Sequence, residues 1–155
     1  MPGIIESYVH TGNQTGVLVE INCQNRVTAT TLEFKNLAKE IALQVVANPQ
    51  VVYIKSDDIP SSVIKKIRQE SQEPETLEQK ITNICLYDQV YIRDNSITIE
   101  DLLKLHIAQL SEQITVGRFV RFVIDESNPN YDNYGGVISP NSPNPAPYTQ
   151  ETESN

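Results

Sequence analysis

A chain of 155 residues with 39% apolar content is long enough for one domain around a single core. Its formal net charge of −8 argues against holding nucleic acid by phosphate neutralisation, which needs a basic face, and points to protein partners instead. No apolar run approaches the roughly 20 residues of a membrane span. Met1-Pro2-Gly3 has neither the basic nor the apolar region of a secretory signal, so a cytoplasmic or plastid-stromal protein is expected.

From Ile4 to His10 the residues alternate as in a strand, Gly12-Asn13-Gln14-Thr15-Gly16 is a run of turn formers, and Val17 to Asn22 reads as the second strand of a β-hairpin. Val17, Val19 and Ile21 share one face of it while Leu18 and Glu20 take the other, the pattern of a sheet with one buried side. Gln24 to Thr28 reads as a polar, solvated loop. Thr30 with Glu33 then makes a capping box for a helix in which Phe34, Leu37, Ala38, Ile41 and Val45 recur at helical spacing, and Asn48-Pro49 ends it.

The apolar run Val51 to Ile54 leads into Ser56-Asp57-Asp58-Ile59-Pro60, where acidic residues and a first-turn proline predict another helix as far as Gln69. Pro74 breaks it. Leu77, Ile81, Ile84 and Cys85 mark a third helix, followed by the extended Val90-Tyr91-Ile92. Thr98 caps a fourth, with Ile99, Leu102, Leu103, His106, Ile107 and Leu110 on its inner face. The last strand, Ile114 to Asp125, is expected to bury Ile114, Val116, Val120, Phe122 and Ile124, with Arg118 interrupting that side. Together these predict an α+β domain over residues 1–125, a small antiparallel β-sheet from the N-terminal hairpin and C-terminal strand packed against several helices.

Beyond Asp125 the composition changes. Residues 126–155 carry Pro129, Pro140, Pro143, Pro145 and Pro147, many asparagines and serines, and no Lys or Arg. Such a segment buries too little apolar surface to offset the entropy of ordering it, so a disordered acidic tail is expected. Tyr131, Tyr134, Val137 and Ile138 are its candidate partner motif, the alternative being a passive solubilising tail.

Cys23 and Cys85 lack metal-ligand spacing and read as buried reduced thiols. His10 beside the hairpin turn and His106 on a helix have no Asp or Cys arranged around them, which points to structure rather than catalysis. Arg118 and Arg121 fall on opposite faces of the last strand, so at most one points into the core. These four, His10, His106, Arg118 and Arg121, are candidate partner contacts on the sheet and helix surface. There is no P-loop, dinucleotide fingerprint or nucleophile motif, so no active site and no cofactor are expected.

Several stretches, in order from Ile4 to Ile124, resemble the core of the elongation factor Ts family. Gly16-Val17-Leu18-Val19-Glu20-Ile21-Asn22-Cys23 is similar to its G-V-L-V-E-V-N-C, and Glu33-Phe34-Lys35-Asn36-Leu37-Ala38-Lys39-Glu40-Ile41-Ala42 to its first core helix. Asp57-Asp58-Ile59-Pro60, Cys85-Leu86-Tyr87-Asp88-Gln89, Ile97-Thr98-Ile99-Glu100-Asp101-Leu102-Leu103 and Arg118-Phe119-Val120-Arg121-Phe122 resemble further family signatures. The resemblance implies that core fold, binding to elongation factor Tu, and guanine nucleotide exchange in translation elongation. It also implies that an Asp-Phe pair does the exchange work, by pushing in beside the partner's magnesium site.

At that pair this chain departs from the family. The family continues E-T-D-F-V-A, whereas here stand Gln24-Asn25-Arg26-Val27-Thr28-Ala29. Arg26 reverses the charge of the family's Asp, and Val27 has far less apolar bulk than its Phe. The resemblance thus marks Cys23, Gln24, Asn25, Arg26, Val27 and Thr28 as the partner-binding exchange loop in altered form. The sequence also begins where the family core begins, without its small N-terminal helical module. The helices after Pro60 and before Cys85 are short, and the tail stands where the family has a helical segment. Two functions are expected from this: an elongation factor Ts-like protein whose exchange activity is lost or weak, or a paralogue serving as a non-catalytic assembly subunit of another protein complex. Self-association through the sheet is implied for short family members, so a homodimer is a further expectation.

Overall fold

A computed structural model describes residues 1–70 and 76–124 and the backbone of 136–138. In chain order the elements are β1 (Gly3–Val9), β2 (Thr15–Asn22), α1 (Arg26–Ala29), α2 (Leu32–Ala47), α3 (Ser61–Glu70), α4 (Leu77–Ile84), β3 (Val90–Tyr91), β4 (Asp94–Thr98), α5 (Ile99–Leu110), β5 (Thr115–Val123) and β6 (Gly136–Ile138). One antiparallel sheet has the strand order β1-β2-β5-β6, and β3 with β4 makes a separate hairpin. This is the α+β architecture that the sequence predicts.

The β1-β2 hairpin turns through Gly12 and Asn13, both at positive φ, a region open to glycine and tolerated by asparagine. Val17, Val19 and Ile21 are buried and Leu18 is exposed, as the alternation requires. α2 lies across that inner face, and Phe34, Leu37, Ala38, Ile41 and Val45 all pack into one core with the strands. Burying a side chain of the size of Phe34 or Ile41 contributes about 1.5–3 kcal/mol, which is how α2 fixes the sheet. Gln44, also buried, donates from Nε2 to the Val90 carbonyl (2.9 Å) and accepts from the Ile92 amide (3.0 Å), tying the β3-β4 hairpin to α2. A smaller cluster of Tyr53, Ile59 and Cys85 holds α3 and α4 to the 51–54 run. Burial pushes the Cys85 thiol up to about 12, so it stays protonated at neutral pH.

Several sequence expectations are corrected. Residues 26–29 form a short helix rather than a loop. The cap of α2 is Thr31, whose Oγ1 accepts from the Phe34 amide (3.3 Å); Thr30 instead donates from Oγ1 to the Val27 carbonyl and closes α1. The acids of Ser56–Asp58 belong to a separate 3-10 turn, where Asp58 accepts from the Lys55 amide, and α3 starts only after Pro60. β4, with its polar Asp94, Asn95 and Ser96, is a strand that no apolar alternation announced. Within the segment beyond Asp125, Gly136–Ile138 pairs antiparallel with β5.

A further correction concerns β5. Its register against β2 shifts between Glu20 and Ile21: Glu20 opposes Arg118, Ile21 opposes Val116, and Gly117 is the extra residue of a bulge. A Cβ at Gly117 would come within 2.5 Å of Nδ2 of Asn22 and 3.2 Å of the Glu20 carboxylate, so a larger residue there would displace the Asn22 side chain. Past the bulge the faces exchange. Val116 before it points inward as expected, but beyond it Phe119 and Arg121 do so, whereas Phe122 and Ile124, expected in the core, are exposed.

Arg121 is therefore not at a surface: it is only 1% exposed. Its guanidinium donates to the carbonyls of Val45 (2.8 Å), Asn48 (3.0 Å), Val51 (3.1 Å) and Pro49 (3.2 Å), and sits 5.6 Å from the centre of the Phe119 ring. α2 has no basic residue in its last turn. Arg121 supplies from another strand the positive charge that the carbonyl end of a helix favours.

Candidate functional site

The α1 turn is built from both sides of the β1-β2 hairpin. Where β2 ends, the Cys23 amide donates to the Pro2 carbonyl (2.9 Å), and the Cys23 side chain is fully buried. Its thiol donates to the Asn25 carbonyl (3.3 Å), and burial, with the nearby Glu112 charge, pushes the thiol pKa up. Asn25 is extended (φ −115°, ψ 131°) and caps α1, its Oδ1 accepting from the Val27 amide at 2.9 Å. The Asn25 amide donates to Oε1 of Glu112, a side chain only 9% exposed. Ala29 is the buried foot of the turn.

This arrangement points the other residues outward. Val27 is 69% exposed, and Gln24, Asn25 and Arg26 are exposed with it. Among the described residues no carboxylate pairs with Arg26. Beside them lies an open cleft of about 740 Å³ lined by Pro2, Gln24, Asn25, Arg26, Thr28, Leu110, Ser111 and Glu112. The structure thus brings four of the six residues marked by the family resemblance, Gln24, Asn25, Arg26 and Thr28, to the rim of one cleft, with Val27 standing beside it and Cys23 buried beneath the turn.

The other candidates are dispersed. His10 is exposed next to Tyr8, whose hydroxyl lies 3.3 Å from its Nδ1, and stands at the far end of β1, roughly 23 Å along the strand from Gly3. His106 is half-buried, and its Nδ1 lies 2.9 Å from the Leu102 carbonyl, one turn before the cleft's Leu110. Arg118 lies on the outer face of the sheet, its Nε 2.5 Å from Oε2 of Glu20. Tyr131 and Tyr134 fall outside the described residues; Val137 and Ile138 belong to β6.

The outer face of the sheet is apolar, and among the described residues nothing covers it. Ile5, Val9, Leu18, Phe122 and Ile124 are exposed there, around a depression of about 410 Å³. Exposed apolar patches of this kind mark contact surfaces. Among the described residues no group of three or more His, Cys, Asp or Glu side chains is placed to hold a metal ion, and no helix is long and apolar enough to cross a membrane.

Glu112 and Ser111 were not legible as site residues. Glu112 stands 87 positions from Asn25 and lies just past the end of the apolar stripe of α5, where a glutamate reads as an ordinary surface residue.

Comparison with known proteins gives a consistent result. Residues 1–126 match the family model described as Elongation factor TS. The chain is 42% identical over 140 residues to elongation factor Ts of Rippkaea orientalis, covering 80% of this chain and 56% of that protein. It is 44% identical over 140 residues to the chloroplastic elongation factor Ts of Guillardia theta (80% and 64%), and 42% identical over 138 residues to that of Galdieria sulphuraria (79% and 69%). The chain therefore spans between about half and two thirds of the length of these relatives.

Proposed function

The chain belongs to the elongation factor Ts family, and from that premise we propose that it binds an elongation factor Tu-type GTPase through the α1 turn while accelerating GDP release weakly or not at all. Arg26 and Val27 carry this reading. They occupy the positions that the family resemblance gives to Asp and Phe, and they are the exposed residues of a turn whose foot and cap are fixed. Loosening a magnesium ion and the nucleotide phosphates calls for negative charge and apolar bulk inserted beside them. A guanidinium near phosphates adds charge-assisted hydrogen bonds to them, which favours retention of the nucleotide. Valine lacks the reach of an aromatic ring.

His106, one turn from the cleft, extends the proposed contact surface, and the apolar outer face with Arg118 and His10 supplies a second one, including for a homodimer. The proposed tail motif, Tyr131, Tyr134, Val137 and Ile138, adds a third. The bacterial cytoplasm or the plastid stroma is the compartment in which such a GTPase is met. Mixing the chain with elongation factor Tu carrying fluorescent GDP tests the proposal. Saturable binding with release near the spontaneous rate is expected; release as fast as with a full-length factor overturns it. Absence of any binding selects the second reading, a non-catalytic assembly subunit of another complex, which the charge reversal at Arg26 also favours.

A further inference from the structure

We infer that Glu112 is the positioning residue of the α1 turn, its carboxylate fixing the Asn25 amide and with it the direction in which Arg26 and Val27 are presented. The inference rests on the reading that α1 faces the partner.

α1 has only four residues, too few to be stable as an isolated helix. In a capping box the cap residue accepts from the amide three positions on, and the residue there returns a carboxylate to the cap's own amide. The cap here is Asn25, and the position that would return the carboxylate is Thr28, which has none. Glu112 fills that role from 87 positions away. It is placed there by Ser111, which ends α5 in the left-handed conformation (φ 53°), and by its own amide donating to the Ile107 carbonyl at 3.3 Å. A carboxylate at this depth requires a partner, and Asn25 provides it.

Asn25 is consequently held at three atoms. Its amide is held by Glu112, its carbonyl by the Cys23 thiol and its side-chain oxygen by Val27. Only the first of these bonds ties α1 to the α5-β5 corner. Without Glu112 the turn keeps its local bonds but loses that anchor, so Arg26 and Val27 lose a fixed direction while the sheet and α2 stay intact.

Amide hydrogen exchange by NMR, combined with affinity for GDP-bound elongation factor Tu, tests this on the full chain, Glu112→Ala and Glu112→Gln. Glu112→Ala is expected to speed exchange at Asn25 by about tenfold or more, as loss of a hydrogen bond to a charged group implies, with the Ile21 and Ile41 amides unchanged. Glu112→Gln still offers an oxygen to Asn25 and should retain part of the protection and more of the affinity than Glu112→Ala. An Asn25 amide as protected in Glu112→Ala as in the unaltered chain, or acceleration spread equally to Ile21 and Ile41, overturns the assignment. If Glu112→Ala does not fold, Glu112→Gln decides: faster exchange confined to Asn25 and its turn supports the role, and none refutes it. An unaltered chain that fails to bind the GTPase refutes the proposed function and leaves the exchange result to judge Glu112 alone.

Discussion

Arg121 and Glu112 are buried charges of opposite sign, and each holds the backbone at the end of a helix, but in very different surroundings. Arg121 is enclosed by four carbonyls at the end of α2, inside the main core. Glu112 holds one amide at the start of α1, on the rim of an open cleft. The framework is thus determined many times over, by the sheet register, the apolar face of α2 and the Arg121 plug. The tip depends on a few contacts, none of which involves the side chains of Arg26 or Val27. That difference leaves Arg26 and Val27 free to vary without disturbing the fold beneath them.

The comparison breaks most readily at Arg121. Arg121→Met leaves the carbonyl end of α2 without its donors and is expected to cost roughly 3–5 kcal/mol, as when one side of a buried charge interaction is removed. Urea unfolding measures it, and a loss below about 1 kcal/mol would show that the carbonyls are satisfied without the guanidinium. At the other pole, Glu112→Ala should raise the labelling rate of Cys23 by a thiol reagent about tenfold while Cys85 stays unreactive, since Cys23 lies under α1 and Cys85 under α3 and α4. Equal acceleration at both thiols would mean that the two regions open together.

Smaller effects sharpen the same contrast. Thr98 and Asp101 cap α5 reciprocally, with the Thr98 amide donating to Asp101 (3.0 Å) and the Asp101 amide to Thr98 Oγ1 (3.2 Å). Thr98→Ala should cost about 1 kcal/mol in the same unfolding assay. The amide and hydroxyl of Thr98 hold the Asp101 carboxyl below its ordinary value of 3.8. A lowered carboxylate contributes stability above its unfolded pKa and loses it as pH falls through the folded value. Acid unfolding below about pH 4 should therefore be less steep for Asp101→Asn than for the unaltered chain. Arg118→Gln, which removes a partly exposed ion pair with Glu20, should change stability by less than about 1 kcal/mol.

Much of the framework was legible because its signals are contiguous. The alternation of Val17, Val19 and Ile21 and the helical spacing from Phe34 to Val45 each lie within one unbroken element, so period and burial agree. The failures share a physical origin in breaks of period or in distance along the chain. Gly117 adds one residue to β5 and shifts its phase, sending Phe122 and Ile124 outward and Arg121 inward. α1 is shorter than the repeat needed to show a period, so its cap Asn25 looked like a loop residue. The site was half legible: the family pattern singled out residues 23–28, but nothing local tells that Glu112 reaches them.

The most direct measurement of the central claim is the rate at which fluorescent GDP leaves elongation factor Tu in the presence of the unaltered chain and of the double variant Arg26→Asp with Val27→Phe, both at saturating concentration. If an intact framework carries a disarmed tip, the unaltered chain leaves the rate near its spontaneous value and the double variant raises it well above. Equal rates for the two, or full acceleration by the unaltered chain, would contradict the account.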